Sequence, residues 1–137
     1  MNTEPSALLP LRLDPGSDLK QAIEAAARRH GIEAAFVVSG IGSLSRAAVR
    51  FANAPAATLL EGPFEILTLQ GSVAPDGAHL HIAIADEKGA VLGGHVASGC
   101  TVHTTAEIVL TLLADHRFSR RHDERTGHRE LHVERRG

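Results

Sequence analysis

The sequence predicts an α+β fold, in which a single compact domain over residues 1–137 has a mainly antiparallel β-sheet flanked by one or two helices. One early segment has the periodicity of an amphipathic helix, whereas most later segments are short, strand-like and bounded by turn residues. Helices and strands do not alternate along the chain, which argues against a parallel sheet. Hydrophobic residues make up 43% of the chain, as in globular proteins, and no linker or internal repeat divides it.

The helix is predicted in GSDLKQAIEAAARRHG, residues 16–31. Ser17 is a suitable N-cap, Asp18 lies where the helix dipole favours a negative charge, and Gly31 suits the C′ position. Apolar residues recur at i, i+4 and i+7 or i+8 from Leu19, so one face of the helix is apolar. The basic residues of the last turn suit the negative end of the dipole. We therefore expect an amphipathic helix here.

Strand-like segments follow the helix. Residues 34–38 (AAFVV) are short and apolar, and residues 46–52 (RAAVRFA) alternate between apolar and basic side chains. Residues 63–73 (PFEILTLQGSV) are strand-like on both faces, with Pro63 at the start, where a strand tolerates proline. These segments predict the first strands of the sheet.

Residues 39–45 (SGIGSLS) resemble the start of a dinucleotide-binding fingerprint but lack its third glycine. The segment that follows alternates like a strand, so the helix N-terminus that a phosphate cradle needs is missing. The serines have no G-x-S-x-G context, which argues against a hydrolase nucleophile. We predict a tight turn here, of the kind that glycine permits.

Two hairpins are predicted in the second half of the chain. Residues 79–85 and 90–96 are strand-like and are joined by the turn DEKG at 86–89. The terminal segment 118–134 has a turn at 124–127 between two short runs and is typical of a hairpin.

The segment 103–116, HTTAEIVLTLLADH, is ambiguous from its residues alone. Thr104 and Glu107 mimic a capping box, which favours a helix. Threonine, isoleucine and valine are dense there, which favours a strand.

Composition excludes several classes of protein. The chain has four Phe and neither Tyr nor Trp, so a protein that stacks single-stranded nucleic acid on aromatic rings is disfavoured. Its net charge of −2 argues against a monomer that binds DNA through bulk positive charge. It contains no apolar run long enough to span a membrane and no signal-peptide pattern, so we expect a cytoplasmic protein with no membrane partner. The single cysteine, Cys100, cannot form an internal disulfide.

Positive charge is concentrated near the C-terminus. Residues 117–137 contain seven Arg and four acidic residues, a local charge of +3. Residues 1–116 contain seven basic and twelve acidic residues, a charge of −5. The terminal segment is either a solvated, charged strand pair or a basic surface for an anionic partner. On the second interpretation, Arg117, Arg120 and Arg121 are candidate contacts to DNA.

Three of the nine histidines lie in HLHIAIADEKGAVLGGHV, residues 79–96. Because residues i and i+2 of a strand point to the same face, His79 and His81 can direct both imidazoles at one point. The returning strand can bring His95 to that face, and the Gly93–Gly94 pair before it permits a bulge that re-aims its ring. The spacing therefore indicates a candidate metal site.

Three His ligands leave the fourth position of a tetrahedral metal open, as in reactive or exchangeable sites. Imidazole suits Zn, Cu, Fe or Ni, and spacing alone does not choose among them. Water, His103 or Cys100 are candidates for the fourth position. Cys100 and His103 could also form a nucleophile pair, although a small buried thiol is the simpler interpretation. The alternative for the whole cluster is an exposed sheet face that carries three polar side chains.

Residues 62–100, GPFEILTLQGSVAPDGAHLHIAIADEKGAVLGGHVASGC, resemble the central signature of the PPC (plants and prokaryotes conserved) domain family. The upstream SGIGSLSRAAVRF and the downstream TTAEIVL and DERTGHREL are also similar to the family pattern, in the same order. The resemblance covers about residues 11–133, and the chain is similar to the stand-alone prokaryotic type.

This resemblance implies an α+β domain that assembles as a homotrimer, and it favours a strand over a helix at 108–112. Plant members join the domain to AT-hooks in nuclear proteins, and prokaryotic relatives carry a DNA-binding label. This chain has no Arg-Gly-Arg-Pro AT-hook, and Pro63 stands in place of arginine in the family's partner-contact block. In prokaryotic relatives the histidines that correspond to His79, His81 and His95 look like a metal cluster.

Functions of different classes are consistent with these features. The first is a DNA-associated regulatory protein with a structural or sensory site for a divalent transition metal, with zinc as the first choice. The second is a small metal-dependent enzyme or small-molecule sensor, with Glu107 or Glu65 as general base if either lies close to the metal. The third is an assembly module that only holds other chains. We rank the regulator first, because the sequence carries no signature of a substrate pocket.

Overall fold

The computed structural model describes residues 7–137 and contains one helix and eight strands within that range. The elements in chain order are β1 (Leu8–Leu13), α1 (Leu19–Arg29), β2 (Ala35–Arg50), β3 (Thr58–Ala74), β4 (Gly77–Ala85), β5 (Val91–Val96), β6 (Thr101–Leu112), β7 (His116–Asp123) and β8 (His128–Arg135). None of the helical structure in this range has the length and apolar character needed to cross a lipid bilayer.

The first six strands in chain order form one antiparallel sheet in the spatial order β1-β6-β2-β3-β4-β5. Strands β7 and β8 form a separate two-stranded hairpin. Strand β5 also pairs with the end of β2, where Val49 lies opposite Val96 and Arg50 lies opposite His95. The sheet therefore curls on itself at this corner. The predicted α+β class with a mainly antiparallel sheet is confirmed, with one helix.

Helix α1 packs one face into the core of the curled sheet. Leu19 and Ile23 are fully buried, and each such side chain contributes about 1.5–3 kcal/mol on removal from water. The N-cap is Asp18 and not Ser17, because the Asp18 carboxylate accepts a 3.0 Å hydrogen bond from the Gln21 backbone N–H. Gly31 has a φ of +61° just after the C-cap, as predicted for the C′ position.

The predicted tight turn at residues 39–45 is wrong. This segment lies inside β2, which joins most of the two strands predicted around it into one strand from Ala35 to Arg50. The register of β2 against its neighbours shifts at several points in the segment. Gly42 has a φ of +146°, and a Cβ there would collide with the Thr105 carbonyl oxygen of β6. The glycines therefore permit irregular strand and close strand contact, and the chain does not turn.

The predicted position of Pro63 at the start of a strand is wrong. Strand β3 begins at Thr58, so Pro63 lies within the strand, at a point where the register against β2 shifts and proline is tolerated. The other boundaries lie closer to the predictions. The ambiguous segment 103–116 is strand β6 as far as Leu112, as the family resemblance favours. The β4–β5 and β7–β8 hairpins both form. Strand β1 was not predicted.

The β7–β8 hairpin is attached to the sheet by a second, small apolar cluster. Phe118 of β7 is buried, and its ring meets that of Phe36 edge to face at a centroid distance of 5.6 Å. The backbone N–H of Arg120 donates to the Asp76 carboxylate at 3.0 Å. These contacts hold the hairpin against the sheet at β3 and at the turn that leads into β4.

Candidate metal centre

The three histidines of the predicted cluster come together at the corner where β5 meets β2. His79 and His81 lie two residues apart on β4, and the register puts His95 of β5 directly opposite His81. His95 also lies opposite Arg50 of β2. The alternation of the strand turns Leu80 and Ile82 of β4 into the core and leaves the imidazoles on the other face.

The imidazole rings are in mutual contact. Nδ1 of His95 lies 3.2 Å from Nε2 of His81, and the ring centroids of the three pairs are 4.6–5.0 Å apart. Among the residues that the structure describes, these form the one group of three or more His, Cys, Asp or Glu side chains close enough to share a metal ion. Their ligand atoms all lie within 4.8 Å of one another.

The Gly93–Gly94 pair acts differently from the prediction. Strands β4 and β5 pair without any shift of register, so no bulge re-aims His95. Instead, a Cβ on Gly93 would collide with the Ile82 carbonyl oxygen, and a Cβ on Gly94 would lie 2.6 Å from the Arg50 carbonyl oxygen. The two glycines let β5 approach β4 and β2 closely, and this close approach places His95 next to His79 and His81.

Burial and neighbouring positive charge keep two of the rings neutral. The pKa of His95 is lowered to about 4, mainly because the ring is partly buried, and further by His79 and Arg50. The pKa of His79 is also lowered, first by burial and then by the positive charge of Arg120. Neutral imidazole is the form that ligates a metal, so neither ring has to lose a proton near pH 7.

One ring nitrogen indicates that the cluster fits a metal ion. Nε2 of His79 is buried, and it is the only buried side-chain nitrogen or oxygen among residues 7–137 that lacks a hydrogen-bond partner. A buried polar atom without a partner is costly unless a ligand satisfies it. In a tetrahedral zinc site, two nitrogens are about 3.3 Å apart, given Zn–N distances near 2.05 Å. The 3.2 Å separation of the His81 and His95 nitrogens matches that spacing.

Cys100 lies in the core and not in the histidine group. Its side chain is fully buried, where the Sγ atom accepts from the Ala48 N–H at 3.3 Å and the thiol donates to the Ala48 carbonyl at 3.4 Å. Burial raises the pKa of the Cys100 thiol. A neutral, hydrogen-bonded thiol of this kind is a poor nucleophile.

The other candidate site residues line different cavities. His103 and Glu65 share a cavity of about 240 Å³ near the β4–β5 turn. Glu107 lies on β6 opposite Arg12 and lines another cavity with it. Neither cavity includes any of the three clustered histidines.

A cavity of about 580 Å³ adjoins the cluster itself, and the sequence did not indicate it. His79 and His95 form part of its wall, together with Arg50 of β2 and with Arg120 and Glu130 of the terminal hairpin. The one available signal was the basic side of the alternating segment 46–52. Nothing in the sequence pattern shows that a hairpin some 70 residues later covers it.

The terminal arginines have different environments. Arg117 forms a 3.4 Å ion pair with Glu33, and Arg121 forms a 2.7 Å ion pair with Glu134. Both side chains are more than half exposed. Arg120 turns inward, and its guanidinium donates to the Ser72 hydroxyl at 2.7 Å. Of these three residues, only Arg120 lines the cavity beside the histidines.

A family model described as the Plants and Prokaryotes Conserved (PCC) domain matches residues 3–114. Two curated relatives, each named bifunctional protein GlmU and each from Synechococcus, are 52% and 50% identical to this chain. These alignments cover 91% and 93% of the chain, and the chain spans only about a fifth of the length of either relative.

Solved structures share the whole fold. A hypothetical protein from Salmonella enterica is 38% identical, with a TM-score of 0.94 over 99% of both chains. The metal-containing protein AF0104 from Archaeoglobus fulgidus is 30% identical, with a TM-score of 0.82 over 96% of both chains. A protein from Ralstonia eutropha JMP134, described as a candidate DNA-binding protein, is 25% identical, with a TM-score of 0.81 over 98% of this chain and 95% of its own.

Proposed function

The chain belongs to the Plants and Prokaryotes Conserved (PCC) domain family, and from that premise we propose that it is a metal-binding regulatory protein that associates with DNA. In this proposal His79, His81 and His95 hold one divalent transition metal ion, with zinc as the first choice. The single, buried cysteine is consistent with a reducing, cytoplasmic location.

The observation that carries the metal part of the proposal is the convergence of three imidazoles around a buried nitrogen without a partner. The structural relative from Archaeoglobus fulgidus, which is named as metal-containing, adds support. When bound, the ion supplies a Lewis acid with an open coordination position. The chain supplies the three nitrogens, the burial that lowers the pKa of His79 and His95, and the strand pairing that holds the rings in place.

Elemental analysis of the purified protein after exhaustive dialysis tests this part. We expect about one zinc or other transition metal ion per chain, as in a three-His site. A chelator should remove the ion and lower the melting temperature, because an ion that binds only the folded state stabilises it. A dialysed protein that contains no transition metal, and takes up none on addition, contradicts the proposal.

DNA is the proposed macromolecular partner, supported by the structural relative described as a candidate DNA-binding protein. Arg117, Arg120 and Arg121 are the proposed phosphate contacts. Arg117 and Arg121 already pair with glutamates, so phosphates would have to compete for them. A fluorescence-anisotropy titration with duplex DNA tests this part at about 50 mM salt, because phosphate contacts are strongest at low salt. The double variant Arg117→Gln/Arg121→Gln should bind more weakly with a shallower salt slope, and a flat wild-type titration removes DNA from the proposal.

A homotrimer is the proposed assembly. Large apolar side chains remain exposed on the outer side of β2, among them Phe36, Val38 and Ile41, with exposed fractions of 38–52%. Apolar surface of this kind is suited to contact between copies. Three copies would also gather three arginine-rich hairpins and raise avidity for an extended anion. Light scattering should give three times the chain mass, and a monomer mass at micromolar concentration would contradict this assembly.

A metal-dependent enzyme or small-molecule sensor is the second candidate, favoured by the cavity beside His79 and His95. Glu130 lines that cavity, whereas Glu65 and Glu107 line others. Glu130 is therefore a better placed general base than either glutamate proposed from the sequence. A bound metal together with flat DNA titrations would favour this candidate over the regulator.

A further inference from the structure

Two arginines that line the cavity lack an acidic partner in the part of the chain that the structure describes. Arg50 on β2 and Arg120 on β7 line the same 580 Å³ space and are both half-buried. Within residues 7–137, neither guanidinium forms an ion pair with a carboxylate; their neutral partners are the Ala54 carbonyl at 3.4 Å and the Ser72 hydroxyl at 2.7 Å. Most arginines of the terminal hairpin do form such pairs. An unpaired, partly desolvated guanidinium is suited to an external anion.

The charge of the cavity wall is positive. Arg50, Arg120 and Arg129 contribute three positive charges and Glu130 one negative charge, so the wall carries +2 when the histidines are left out of the count. Arg129 is partly neutralised by Asp76, which lies 3.7 Å away. A concave, positively charged wall concentrates anions within it. Its volume falls in the range of small-molecule sites, which is about 300–1,000 Å³.

We propose that this cavity is a binding site for a small organic oxyanion, in which Arg50 and Arg120 hold a carboxylate or phosphate group beside the histidine cluster. The planar guanidinium fork matches both groups and donates two parallel hydrogen bonds to either. Ser72 holds the Arg120 side chain in position from β3. The terminal hairpin, which supplies Arg120 and Glu130, forms one side of the site.

This site shares Arg120 with the proposed DNA contacts, but it also rests on Arg50 and on the cavity, which the metal and DNA proposals do not use. Substitution of Arg50 therefore distinguishes its failure from theirs. The ligand is a small molecule and not a nucleic acid, because the arginines face a concave space and the exposed Arg117 and Arg121 do not reach it. A ligand bound here lies next to His79 and His95, two of the three histidines of the cluster.

Calorimetric titration with inorganic phosphate and, separately, with malonate tests the proposal on metal-loaded and on chelator-treated protein. We expect saturable binding of at least one anion at or below about 10 mM, a range in which weak single-group ligands bind. Binding should persist in part without metal. Binding of phosphate alone or of malonate alone identifies the group that the site prefers.

Arg50→Gln is the informative variant, with Arg46→Gln as its matched control. Arg46 lies on the same strand but is exposed and paired with Glu61 at 2.9 Å, outside the cavity. Arg50→Gln should weaken anion binding by about tenfold or more, and Arg46→Gln by less than about twofold. Arg120→Gln should act like Arg50→Gln if its melting temperature shows that it folds. Wild-type protein that binds neither anion, or an Arg50→Gln variant that binds as tightly as wild type, overturns the proposal. It is also overturned if only duplex DNA binding responds to Arg50→Gln.

Discussion

Arg120 of the terminal hairpin donates a 2.7 Å hydrogen bond to the hydroxyl of Ser72 on β3. Ser72 is the buried polar residue that lies directly opposite His79 in the β3–β4 ladder. One hydrogen bond therefore links the hairpin, the central sheet and the histidine cluster. This link explains how a segment outside the main sheet comes to form a wall of the cavity.

The Ser72→Ala variant should be less stable than wild type. The substitution removes a hydrogen bond to a charged, half-buried guanidinium, a kind of interaction that contributes about 1.5–3 kcal/mol. Chemical denaturation measures the change in the free energy of unfolding. Ser45→Ala is the control, because the Ser45 hydroxyl makes only a long, 3.4 Å bond to the Thr101 carbonyl. Equal losses of unfolding free energy in the two variants would show that the Ser72–Arg120 hydrogen bond stabilises the protein no more than the Ser45 bond does.

Gly94→Ala should disturb both the fold and the histidine cluster. A Cβ at this position would lie 2.6 Å from the Arg50 carbonyl oxygen and 2.9 Å from Cγ1 of Val49, so β5 has to move away from β2. We expect a loss of about 1–3 kcal/mol in stability, as in other overpacked sites. We also expect weaker metal binding, because His95 is the next residue on β5.

Gly89→Ala is the matched control for Gly94→Ala. A Cβ on Gly89 would meet nothing within 4 Å, although its φ of +80° strains any other residue by about 1–2 kcal/mol. Both variants should therefore lose stability, but only Gly94→Ala should lose metal. Full metal occupancy in Gly94→Ala would contradict the role assigned to close strand contact.

Stability of the metal-free protein should fall as the solution becomes acidic. The unfolded chain protonates its histidines near the ordinary pKa of 6.5, whereas burial lowers the pKa of folded His95 to about 4. The pKa of His79 is lowered as well, first by burial. Between these values the unfolded state binds more protons than the folded state, so the free energy of unfolding rises with pH. The contribution of these histidines to stability is lost as the pH falls toward 4.

Denaturation midpoints of the metal-free protein between about pH 7 and about pH 4.5 measure this dependence. The double variant His79→Gln/His95→Gln should show a shallower slope, because it lacks the two histidines whose pKa is lowered in the folded state. The comparison removes the contribution of carboxylates, which both proteins share. Parallel pH profiles would contradict the assignment of neutral, buried imidazoles.

Cys100 should be unreactive in the folded protein. Its thiol is fully buried and its pKa is raised by burial, so little thiolate forms. A chromogenic disulfide reagent should modify about one thiol per chain in denaturant and almost none without it. Rapid modification of the native protein would contradict this prediction and make Cys100 a candidate nucleophile.

Local signals predicted the parts of the fold and site that depend on neighbouring residues. The two-residue alternation of β4 and the DEKG turn fix which residues face each other, so the approach of His95 to His81 follows from pairing alone. Gly31 could be assigned to the end of the helix because that assignment also depends only on neighbouring residues.

Long-range contacts explain what the sequence did not show. The glycines of 39–45 have the composition of a turn, but pairing on both sides holds them in strand. Strand β1 was missed because Pro10 interrupts a short segment whose pairing with β6 requires a partner about 100 residues away. Arg50 and Arg120 line the same cavity although they lie 70 positions apart in the sequence, and no local sequence pattern predicts that they are close.

The metal content of His81→Ala after exhaustive dialysis shows most directly whether the three converging imidazoles hold a metal ion. His103→Ala is the control, because His103 is exposed and lies outside the cluster. Wild type and His103→Ala should each retain about one transition metal ion per chain, and His81→Ala should retain close to none. An unchanged metal content in His81→Ala would contradict the account.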